Sequence, residues 1–437
     1  MREGGGRAIL SDFAAKPPEG ADLSEIGTDA LPIVVIGAGA AGTMAAIFAA
    51  STGRSTLLLE RTRDGGRKIL ISGGGRCNIL PSRVDPAQYF TSSSRNTLKK
   101  MLLSWPLPDQ RRFFEEEVGL RLELEEETGK LFPSTHKARD VRDGLLELAE
   151  RRGVRMRFGS YVVGLRPGGE GEPWRVLLEG GGQIDAARVI IATGGLSVPA
   201  TGSDGTGLRV VKQLGHTLND TFAALTPLTS ALTPHAPLAG ISLTVRLEAP
   251  VGKGRLTAEG GFLFTHRGYS GPTVLDVSHV AVQSAESASP APILVQWTQF
   301  DAAAWERMLM ERSQGTVANV VRRHLPHRLA DALLDEAGVD EARTLPQLRR
   351  DERQRLVESL ARYPLPWTGH EGYKKAEVTG GGVPLSEVDP RTLESRVVPG
   401  LHLCGEILDC FGPIGGYNFF WAWATGRAAG LGAAGAA

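Results

Sequence analysis

The stretch Ile33–Glu60, which reads IVVIGAGAAGTMAAIFAASTGRSTLLLE, decides the fold. An apolar run leads into a G-x-G-x-x-G motif at residues 37–42, and the small residues of Ala40–Ala50 then predict a helix. A second apolar run, Leu57–Leu59, ends at the acid Glu60, which can accept hydrogen bonds from ribose hydroxyls. The motif alone would be weak evidence. A strand before it, a helix after it and an acid at the end of the next strand together predict a dinucleotide-binding Rossmann unit rather than a glycine-rich turn without a ligand.

Each residue of the motif has a physical role in this interpretation. Gly37 allows the tight turn, Gly39 leaves space for the pyrophosphate to approach the backbone, and Gly42 lets the helix pack closely on the strand. Ala40 and Ala41 begin the helix, where free N–H groups and the helix dipole favour a phosphate anion. The sequence therefore predicts that all five residues form the phosphate-binding turn.

Composition indicates a protein of more than one domain with no general affinity for polyanions. The chain has 437 residues, and its 49 basic and 49 acidic side chains give a formal net charge of zero. This balance argues against nucleic acid and anionic membranes as partners. Three cysteines fit a cytoplasmic protein better than a disulfide framework. Residues 1–30 predict a flexible leader, and the uncharged stretch 31–53 is assigned to the Rossmann unit because glycines interrupt it as a membrane span.

A second glycine-rich segment, GRKILISGGGRCN at residues 66–78, offers many backbone N–H groups and three cations. The apolar residues inside it favour contact with a ligand over a flexible surface loop. Cys77 has no C-x-x-C partner and is interpreted as a small residue packed beside the cofactor rather than a redox thiol. The predicted cofactor-binding residues of this part of the chain are Arg61, Lys68, Ser72, Gly73, Gly74, Arg76, Cys77 and Asn78.

Two later segments are predicted to return the chain to the cofactor. The buried strand of residues 189–192 stops at a Thr-Gly-Gly turn, which assigns Thr193 and Gly194 to the site. Near the end, Gly405 and Glu406 can bring a carboxylate to ribityl hydroxyls. A glycine-rich turn then opens the last helix at Gly416, Tyr417 and Asn418, where the helix N-terminus can stabilise negative charge on a reduced flavin. A simple NAD dehydrogenase has no need of such a returning segment, so the pattern favours FAD as the tightly bound nucleotide.

Changes in composition divide the rest of the chain. Residues 226–264 carry short alternating apolar runs typical of a small antiparallel β domain, and residues 303–363 are charged, Leu-rich and helical. The predicted fold class is α/β. A discontinuous FAD-binding domain (31–200 and 376–437) carries an inserted β barrel (201–300 and 364–375) and an inserted helical module (301–363).

The chain resembles the bacterial FAD flavoproteins of the aminoacetone oxidase-like family, which has a bile-acid Δ4,6-reductase-like branch. The resemblance spans nearly all of residues 31–432. It rests on the segment at 66–78, on FTHRGYSGP at 264–272, on AEVTGGGV at 376–383 and on the long segment 392–430. It implies a Rossmann-type FAD domain with the same two insertions. Two departures are Phe420, where the family usually has Gln, and Leu393, where it often has Met.

The loop Phe264–Pro272 supplies the candidate acid–base group. His266 is the one side chain there whose ordinary pKa lies near neutrality, and it can reach the cleft if the β insertion folds over the flavin. The alternative is a structural histidine that holds the interdomain turn. His266 and Tyr417 are the predicted catalytic residues. The histidines show no metal-ligand spacing, so no metal site is predicted.

The sequence thus predicts an FAD-dependent oxidoreductase that transfers hydride to a small-molecule substrate. In the favoured interpretation NAD(P)H reduces the FAD, which then reduces an activated C=C bond, as the bile-acid branch implies. No second glycine fingerprint stands between a strand and a helix, so nicotinamide would bind only transiently in the open cleft. One alternative is an FAD-dependent amine oxidase that uses oxygen. A second is a flavin-bearing nucleic-acid-binding module, which neutral charge disfavours. Substrate and oligomeric state stay open.

Overall fold

A computed structural model describes residues 31–169, 172–230, 235–311 and 315–436. The predicted leader at 1–30 lies outside these residues. The strands, in chain order, are β1 (Ile33–Ile36), β2 (Thr56–Leu59), β3 (Leu80–Pro81), β4 (Leu122–Glu125), β5 (Lys130–Pro133), β6 (Arg155–Arg157), β7 (Val162–Arg166), β8 (Trp174–Leu178), β9 (Gln183–Ala186), β10 (Arg188–Ile191), β11 (Asn219–Ala224), β12 (Leu228–Thr229), β13 (Ser242–Val251), β14 (Gly254–Thr265), β15 (Gly268–Ser270), β16 (Leu294–Gln296), β17 (Tyr363–Pro364), β18 (Gly369–His370), β19 (Val378–Gly382) and β20 (Leu401–Leu403).

The helices connect these strands and form one separate group late in the chain. They are α1 (Ala40–Ala50), α2 (Arg67–Ile71), α3 (Arg95–Leu103), α4 (Leu107–Arg112), α5 (Ala138–Arg151), α6 (Thr206–Gln213), α7 (Pro272–Ser284), α8 (Ala302–Leu309), α9 (Val317–Arg322), α10 (His327–Glu336), α11 (Arg350–Ala361) and α12 (Tyr417–Ala434). None of the helices in the described ranges is both long enough and apolar enough to span a membrane.

A five-stranded parallel sheet in the order β20-β10-β1-β2-β6 forms the centre of the first domain. All four residues of β1 are buried, because helices cover both faces of such a sheet. This arrangement explains why the strand reads as an uninterrupted apolar run, and it confirms the predicted Rossmann-type core. Two three-stranded sheets, β3-β5-β4 and β7-β8-β9, are attached to this domain.

The last helix, α12, packs closely against α1 through glycines. A Cβ atom on Gly426 would lie 2.4 Å from the Ala41 carbonyl oxygen, and one on Gly430 would lie 2.3 Å from that of Ala45. Only glycine allows the two backbones this approach. Residues 430–435 repeat the G-x-G-x-x-G spacing, but they lie at the end of this helix, so they serve helix packing and helix termination rather than a second nucleotide site.

The chain leaves and re-enters the first domain through an antiparallel pair, β11 with β19. Between them lies a seven-stranded sheet, in the order β17-β16-β13-β14-β15-β12-β18, with α7 packed beside it. This sheet lies in the segment predicted to form a β barrel, but its edge strands β17 and β18 do not pair within the described residues, so it is an open sheet there. It begins at Leu228 rather than near residue 201, because α6 packs Leu208 and Val211 into the core of the first domain.

Helices α8–α11 form the helical module and share one hydrophobic core with the seven-stranded sheet. A buried polar contact joins the two parts. The Tyr363 hydroxyl donates to Glu336 Oε2 at 2.7 Å, and His235 Nε2 lies 3.1 Å from Glu336 Oε1. The module therefore corresponds to the predicted segment 301–363 and is held on the inserted sheet rather than on the FAD-type domain.

Candidate functional site

A cavity of about 530 Å³ opens at the carboxyl ends of the central strands. Ile36, Leu59 and Ala192 lie on its wall at the ends of β1, β2 and β10, and the N-termini of α1 and α12 face it. Ligands of open α/β sheets bind at this edge, where the strands end and helices begin. The predicted residues on the wall are Gly37, Gly39, Ala40, Ala41, Glu60, Arg61, Lys68, Ser72, Gly73, Gly74, Asn78, Thr193, Gly194, Gly405, Glu406, Gly416 and Asn418.

The three glycines of the fingerprint have the geometry that their predicted roles require. Gly37 has φ +101°, and a Cβ there would lie 2.7 Å from the Ala192 carbonyl oxygen. A Cβ on Gly42 would lie 1.8 Å from the Gly37 carbonyl oxygen, so this residue packs the helix on the turn and does not line the cavity. A Cβ on Gly39 would meet no atom within 4 Å, because the space beside it belongs to the cavity. The cradle therefore fits a pyrophosphate.

The carboxylate of Glu60, the predicted ribose-binding acid, is held in place by hydrogen bonds from Ala38 in the glycine-rich turn and from Thr62. Glu60 Oε2 accepts from the Ala38 N–H at 2.9 Å, and Oε1 accepts from the Thr62 N–H and hydroxyl at 2.8 Å each. These bonds aim the carboxylate along the cavity wall and leave lone pairs for the hydroxyls of a ribose.

Arg61 lies at the same end and forms an ion pair with Asp204, a residue that sequence reasoning missed. Its guanidinium also lies 4.3 Å from the centroid of the Tyr161 ring. Although burial opposes ionisation, hydrogen bonds from Thr206, Arg61 and Tyr161 hold the pKa of Asp204 at about 2. The charged pair and the aromatic ring together form the wall at the adenosine end.

At mid-cavity, Lys68 and Glu406 meet. Lys68 Nζ lies 2.6 Å from Glu406 Oε2 and 2.6 Å from the Ser197 hydroxyl oxygen, and Ser197 donates to Glu406 Oε1 at 2.6 Å. The Thr379 N–H donates to the same carboxylate at 2.9 Å. Burial opposes ionisation of Glu406, but the Lys68 charge and these hydrogen bonds lower its pKa below the ordinary value. An ionised carboxylate therefore faces the position of the ribityl hydroxyls.

Only some of the predicted cofactor-binding residues in the second glycine-rich segment line the cavity. Gly73 and Gly74 have positive φ (55° and 67°) and bring the backbone to the cavity wall. Arg76 points elsewhere: Nη1 donates to Glu125 Oε1 at 2.9 Å, and the guanidinium lies over the Phe132 ring. Cys77 is fully buried outside the wall, and burial raises the pKa of its thiol to about 12. The structure therefore gives both residues packing roles in place of direct cofactor contact.

The loop before α12 closes the other end of the cavity. Gly416 has φ +97°, and a Cβ there would lie 2.6 Å from the Leu80 carbonyl carbon. Asn418 holds the loop, accepting from the Gly412 N–H at 2.9 Å and donating to the Gly412 carbonyl at 3.0 Å. Tyr417 does not line the cavity; its carbonyl accepts from the Tyr89 hydroxyl. The helix N-terminus thus faces the cavity, but the Tyr417 side chain, which was predicted to be catalytic, does not.

His266 is also not brought to the cavity. It occupies the exposed two-residue turn between β14 and β15, while the neighbouring Arg267 pairs with Glu371 at 3.6 Å. The expectation that this loop reaches the cleft depended on how far the inserted sheet folds over the first domain. The hairpin instead directs its turn into solvent.

Sequence reasoning missed a group of charged residues at the α12 end of the cavity. Lys374, Lys375 and Glu377 line the wall, and their side chains are exposed to solvent through the opening. The segment AEVTGGGV was recognised, but its charged flank carries no spacing rule that would have marked these residues. No group of three or more His, Cys, Asp or Glu side chains able to hold a metal ion occurs within the described ranges.

The model of the HI0933-like protein Rossmann domain matches residues 31–432, nearly the whole chain. The protein belongs to this family. HI0933-like membership and the geometry above make it an FAD-dependent oxidoreductase, as predicted, and the fold class is confirmed. The residues that would hold the FAD are those of the Gly37–Gly42 turn, Glu60 and Glu406, with the α12 N-terminus at the flavin end.

Two curated relatives of the HI0933-like chain span nearly its full length. It is 33% identical to the ribosomal RNA dihydrouridine synthase of Escherichia coli over 90% of this chain and 95% of the relative. It is 31% identical to the 3-dehydro-bile acid Δ(4,6)-reductase of Clostridium scindens, over 92% and 98%. A solved 3-ketosteroid Δ1-dehydrogenase from Sterolibacterium denitrificans is 13% identical, with a TM-score of 0.52 over 93% of this chain and 100% of that one. This last likeness concerns the fold alone.

Proposed function

We propose that this protein reduces a carbon–carbon double bond conjugated to a carbonyl group, with NAD(P)H as the electron donor. The observation that carries the proposal is the α12 end of the cavity. The helix N-terminus at Gly416, two lysines (Lys374 and Lys375) and the Glu377 carboxyl group all line the cavity, and the three charged side chains are exposed. Reduced FAD supplies a hydride; the protein must supply a proton and stabilise the negative charge that forms on the carbonyl oxygen.

The names of the two curated relatives support one reaction type. A 3-dehydro bile acid with Δ4,6 double bonds has those bonds conjugated to its C3 carbonyl, and dihydrouridine is uridine whose C5=C6 bond, conjugated to the C4 carbonyl, has been saturated. When such a conjugated bond is reduced by a hydride donor, hydride adds to the carbon remote from the carbonyl, and a proton adds to a carbon whose negative charge the carbonyl stabilises. The two relatives therefore suggest a shared reaction, the reduction of a conjugated C=C bond, rather than a shared substrate.

The first candidate substrate is a uracil base in ribosomal RNA. It is supported by the 33% identity over nearly the full length of both chains and by Lys374 and Lys375 at the cavity opening. Lysines at this position can contact phosphates on either side of a base that enters the cavity. These lysines would attract RNA phosphates locally, at the cavity, which is compatible with a net charge of zero for the whole chain. Reduced nicotinamide and ribosomal RNA also share the cytoplasm, the predicted location.

The second candidate is a free small molecule with a conjugated carbonyl, as predicted from the sequence, acting without nucleic acid. The bile-acid reductase relative and the apolar Ile71 and Ile414 on the cavity wall support it. A flat apolar substrate could lie between these side chains without phosphate contacts.

Anaerobic half-reactions separate these possibilities. Purified FAD-loaded protein is mixed with NADH or NADPH, and loss of the visible flavin absorbance is followed. The reduced protein is then offered unmodified ribosomal RNA, free uridine, a steroid enone or oxygen. Reoxidation by RNA with two hydrogens gained per uridine, measured by mass spectrometry of the nucleosides, supports the first candidate, and reoxidation by the enone alone supports the second. Reduction only by amines, followed by rapid reoxidation by oxygen, would instead identify an oxidase and overturn the proposal.

A further inference from the structure

Two carboxyl groups from different parts of the chain are associated with the cavity wall near the loop that precedes α12. Asp276, on α7 of the inserted domain, accepts a hydrogen bond from the Ile414 N–H at 2.8 Å. Glu377, immediately before β19, lines the cavity, and its carboxyl group makes no hydrogen bond or ion pair with any other described residue. The charge of Glu377 acts on Asp276. One acid is therefore anchored to the loop, and the other is free and faces the cavity.

The surroundings of this pair favour its holding a proton near neutral pH. Burial raises the pKa of Asp276 to about 7; the Ile414 N–H and Lys130 oppose this shift, and Glu377 reinforces it. Glu377 is exposed at its outer side, but desolvation by the neighbouring protein still raises its pKa, and Lys130 lowers it. Asp276 also acts on Tyr417, and burial lowers the pKa of the nearby His279 to about 4, so His279 is neutral at neutral pH. Lys130 acts on both carboxyl groups, and Lys374 and Lys375 precede Glu377 on the same cavity wall.

We propose that Glu377, whose carboxyl group faces the cavity, is the residue that donates a proton to the substrate, and that Asp276 helps to keep this proton on Glu377 near neutral pH. This inference rests on the proposed function. As hydride from reduced FAD bonds to the carbon remote from the carbonyl, the C=C π bond breaks, and the carbon next to the carbonyl takes the proton from the Glu377 carboxyl. The resulting carboxylate recovers a proton from water through the opening. NAD(P)H, oxidised to NAD(P)⁺, returns the FAD to its reduced form.

Asp276 is a positioning residue in this scheme. Its negative charge makes ionisation of Glu377 less favourable, and its bond to Ile414 fixes the loop that forms the opposite wall. Asp276→Asn keeps an acceptor for the Ile414 N–H and removes only the charge. This variant therefore tests the electrostatic role separately from the structural one.

The first experiment detects the proton directly, without turnover. Infrared difference spectra of the FAD-loaded protein, titrated through neutral pH, should show a carboxylic-acid C=O band of Glu377 that disappears above the ordinary carboxyl pKa range. Glu377→Gln should abolish or shift this band, and Asp276→Asn should move its midpoint to lower pH. Glu147→Gln, at an exposed carboxyl on α5, should leave it unchanged. A spectrum of Glu377→Gln identical to that of the unmodified protein would overturn the proposal.

The second experiment measures the proton's role in the reaction. Reduced protein is mixed anaerobically with whichever conjugated substrate reoxidises it. Glu377→Gln should slow this step by about 10²–10⁴-fold while flavin reduction by NAD(P)H keeps its rate. Asp276→Asn should keep the rate at low pH and lose it at a lower pH than the unmodified protein. An unchanged rate in Glu377→Gln would contradict the role of Glu377 and leave the proposed function intact. Failure of every conjugated substrate to reoxidise the unmodified protein would contradict the proposed function. The infrared measurement does not depend on a substrate, so it tests the protonation of Glu377 in either case.

Discussion

Lys68 Nζ lies 2.6 Å from Glu406 Oε2, although 338 positions separate the two residues in the chain. Lys68 lies in α2, within the second glycine-rich segment, and Glu406 lies in the turn after β20. Their pairing therefore fastens the final segment of the chain to its first ninety residues across the middle of the cavity. The side chains are only 25% and 17% exposed, so water screens the pair weakly.

Lys68→Met should destabilise the apoprotein and weaken FAD binding, because it leaves a largely buried carboxylate without its counter-charge. A lost hydrogen bond to a charged group costs about 1–3 kcal/mol. The pKa of Glu406 is lowered in the folded state, so this stabilisation is present above the ordinary carboxyl pKa and is lost as pH falls through the folded-state pKa. The stability difference from the unmodified protein should therefore shrink below about pH 4.

Urea unfolding at several pH values measures this difference. Lys99→Met, at an exposed lysine on α3 with no ion pair in the described ranges, is the matched control and should change stability little. Equal effects of the two substitutions at neutral pH would show that the Lys68–Glu406 pair contributes nothing measurable.

Gly39 and Gly42 should respond differently to an added side chain, although both belong to the same motif. Gly39→Val places its side chain in the cavity and should expel FAD while the apoprotein keeps its thermal stability. Gly42→Ala would bring a Cβ to 1.8 Å from the Gly37 carbonyl oxygen and should destabilise the fold even without cofactor. Flavin content and apoprotein melting temperature, measured for both variants, check this contrast; full FAD occupancy in Gly39→Val would remove the pyrophosphate assignment.

The nucleotide end of the site could be predicted from the sequence because its determinants are local. The turn at Gly37, the helix after it and Glu60 lie within one stretch, and each residue type has a backbone reason to be there. Glu406 could also be predicted, because a glycine-rich turn marks the C-terminal segment that returns to the cofactor. These elements lie where they were predicted, and the cavity joins them.

The substrate end could not be predicted, because it depends on contacts between distant segments. Asp276 reaches Ile414 across 138 positions, and no periodicity or spacing records that approach. Arg76 was assigned to phosphate from its charge alone, whereas Glu125 and the Phe132 ring fix its direction. His266 was chosen for its ordinary pKa, and the hairpin that carries it exposes it to solvent.

His266→Ala should therefore leave stability within about 0.5 kcal/mol and leave reoxidation by substrate unchanged, as expected of an exposed turn position. The measurement is the same anaerobic reoxidation used for Glu377→Gln, at several pH values. A fall of a hundredfold or more, with a displaced pH profile, would restore His266 as the acid and count against Glu377.

Lys374→Ala and Lys375→Ala should weaken binding of ribosomal RNA if the first candidate substrate is correct. Removing one lysine–phosphate interaction should reduce the slope of log affinity against log salt by about 0.7 for single-stranded RNA. FAD content and flavin reduction by nicotinamide should not change. Fluorescence anisotropy with a labelled RNA fragment checks the effect, with Lys212→Ala on α6 as the control, and an unchanged salt slope would favour the small-molecule substrate.

The protein should accept electrons from NADH and NADPH with little discrimination. The strand-to-helix glycine fingerprint at Gly37–Gly42 lies in the wall that fits FAD, so we expect nicotinamide to bind at the α12 end of the cavity. Discrimination requires an acid or an arginine held by a second Rossmann turn to interact with the 2′ position of the adenosine ribose. Lysines 374 and 375 provide positive charge at the opening but no such fixed geometry. We therefore expect saturation only at high nicotinamide concentration and a ratio of reduction rates within about tenfold, equivalent to about 1.4 kcal/mol. Stopped-flow measurement of flavin reduction across both nucleotides checks this, and strong selectivity for either one would require a built nicotinamide site.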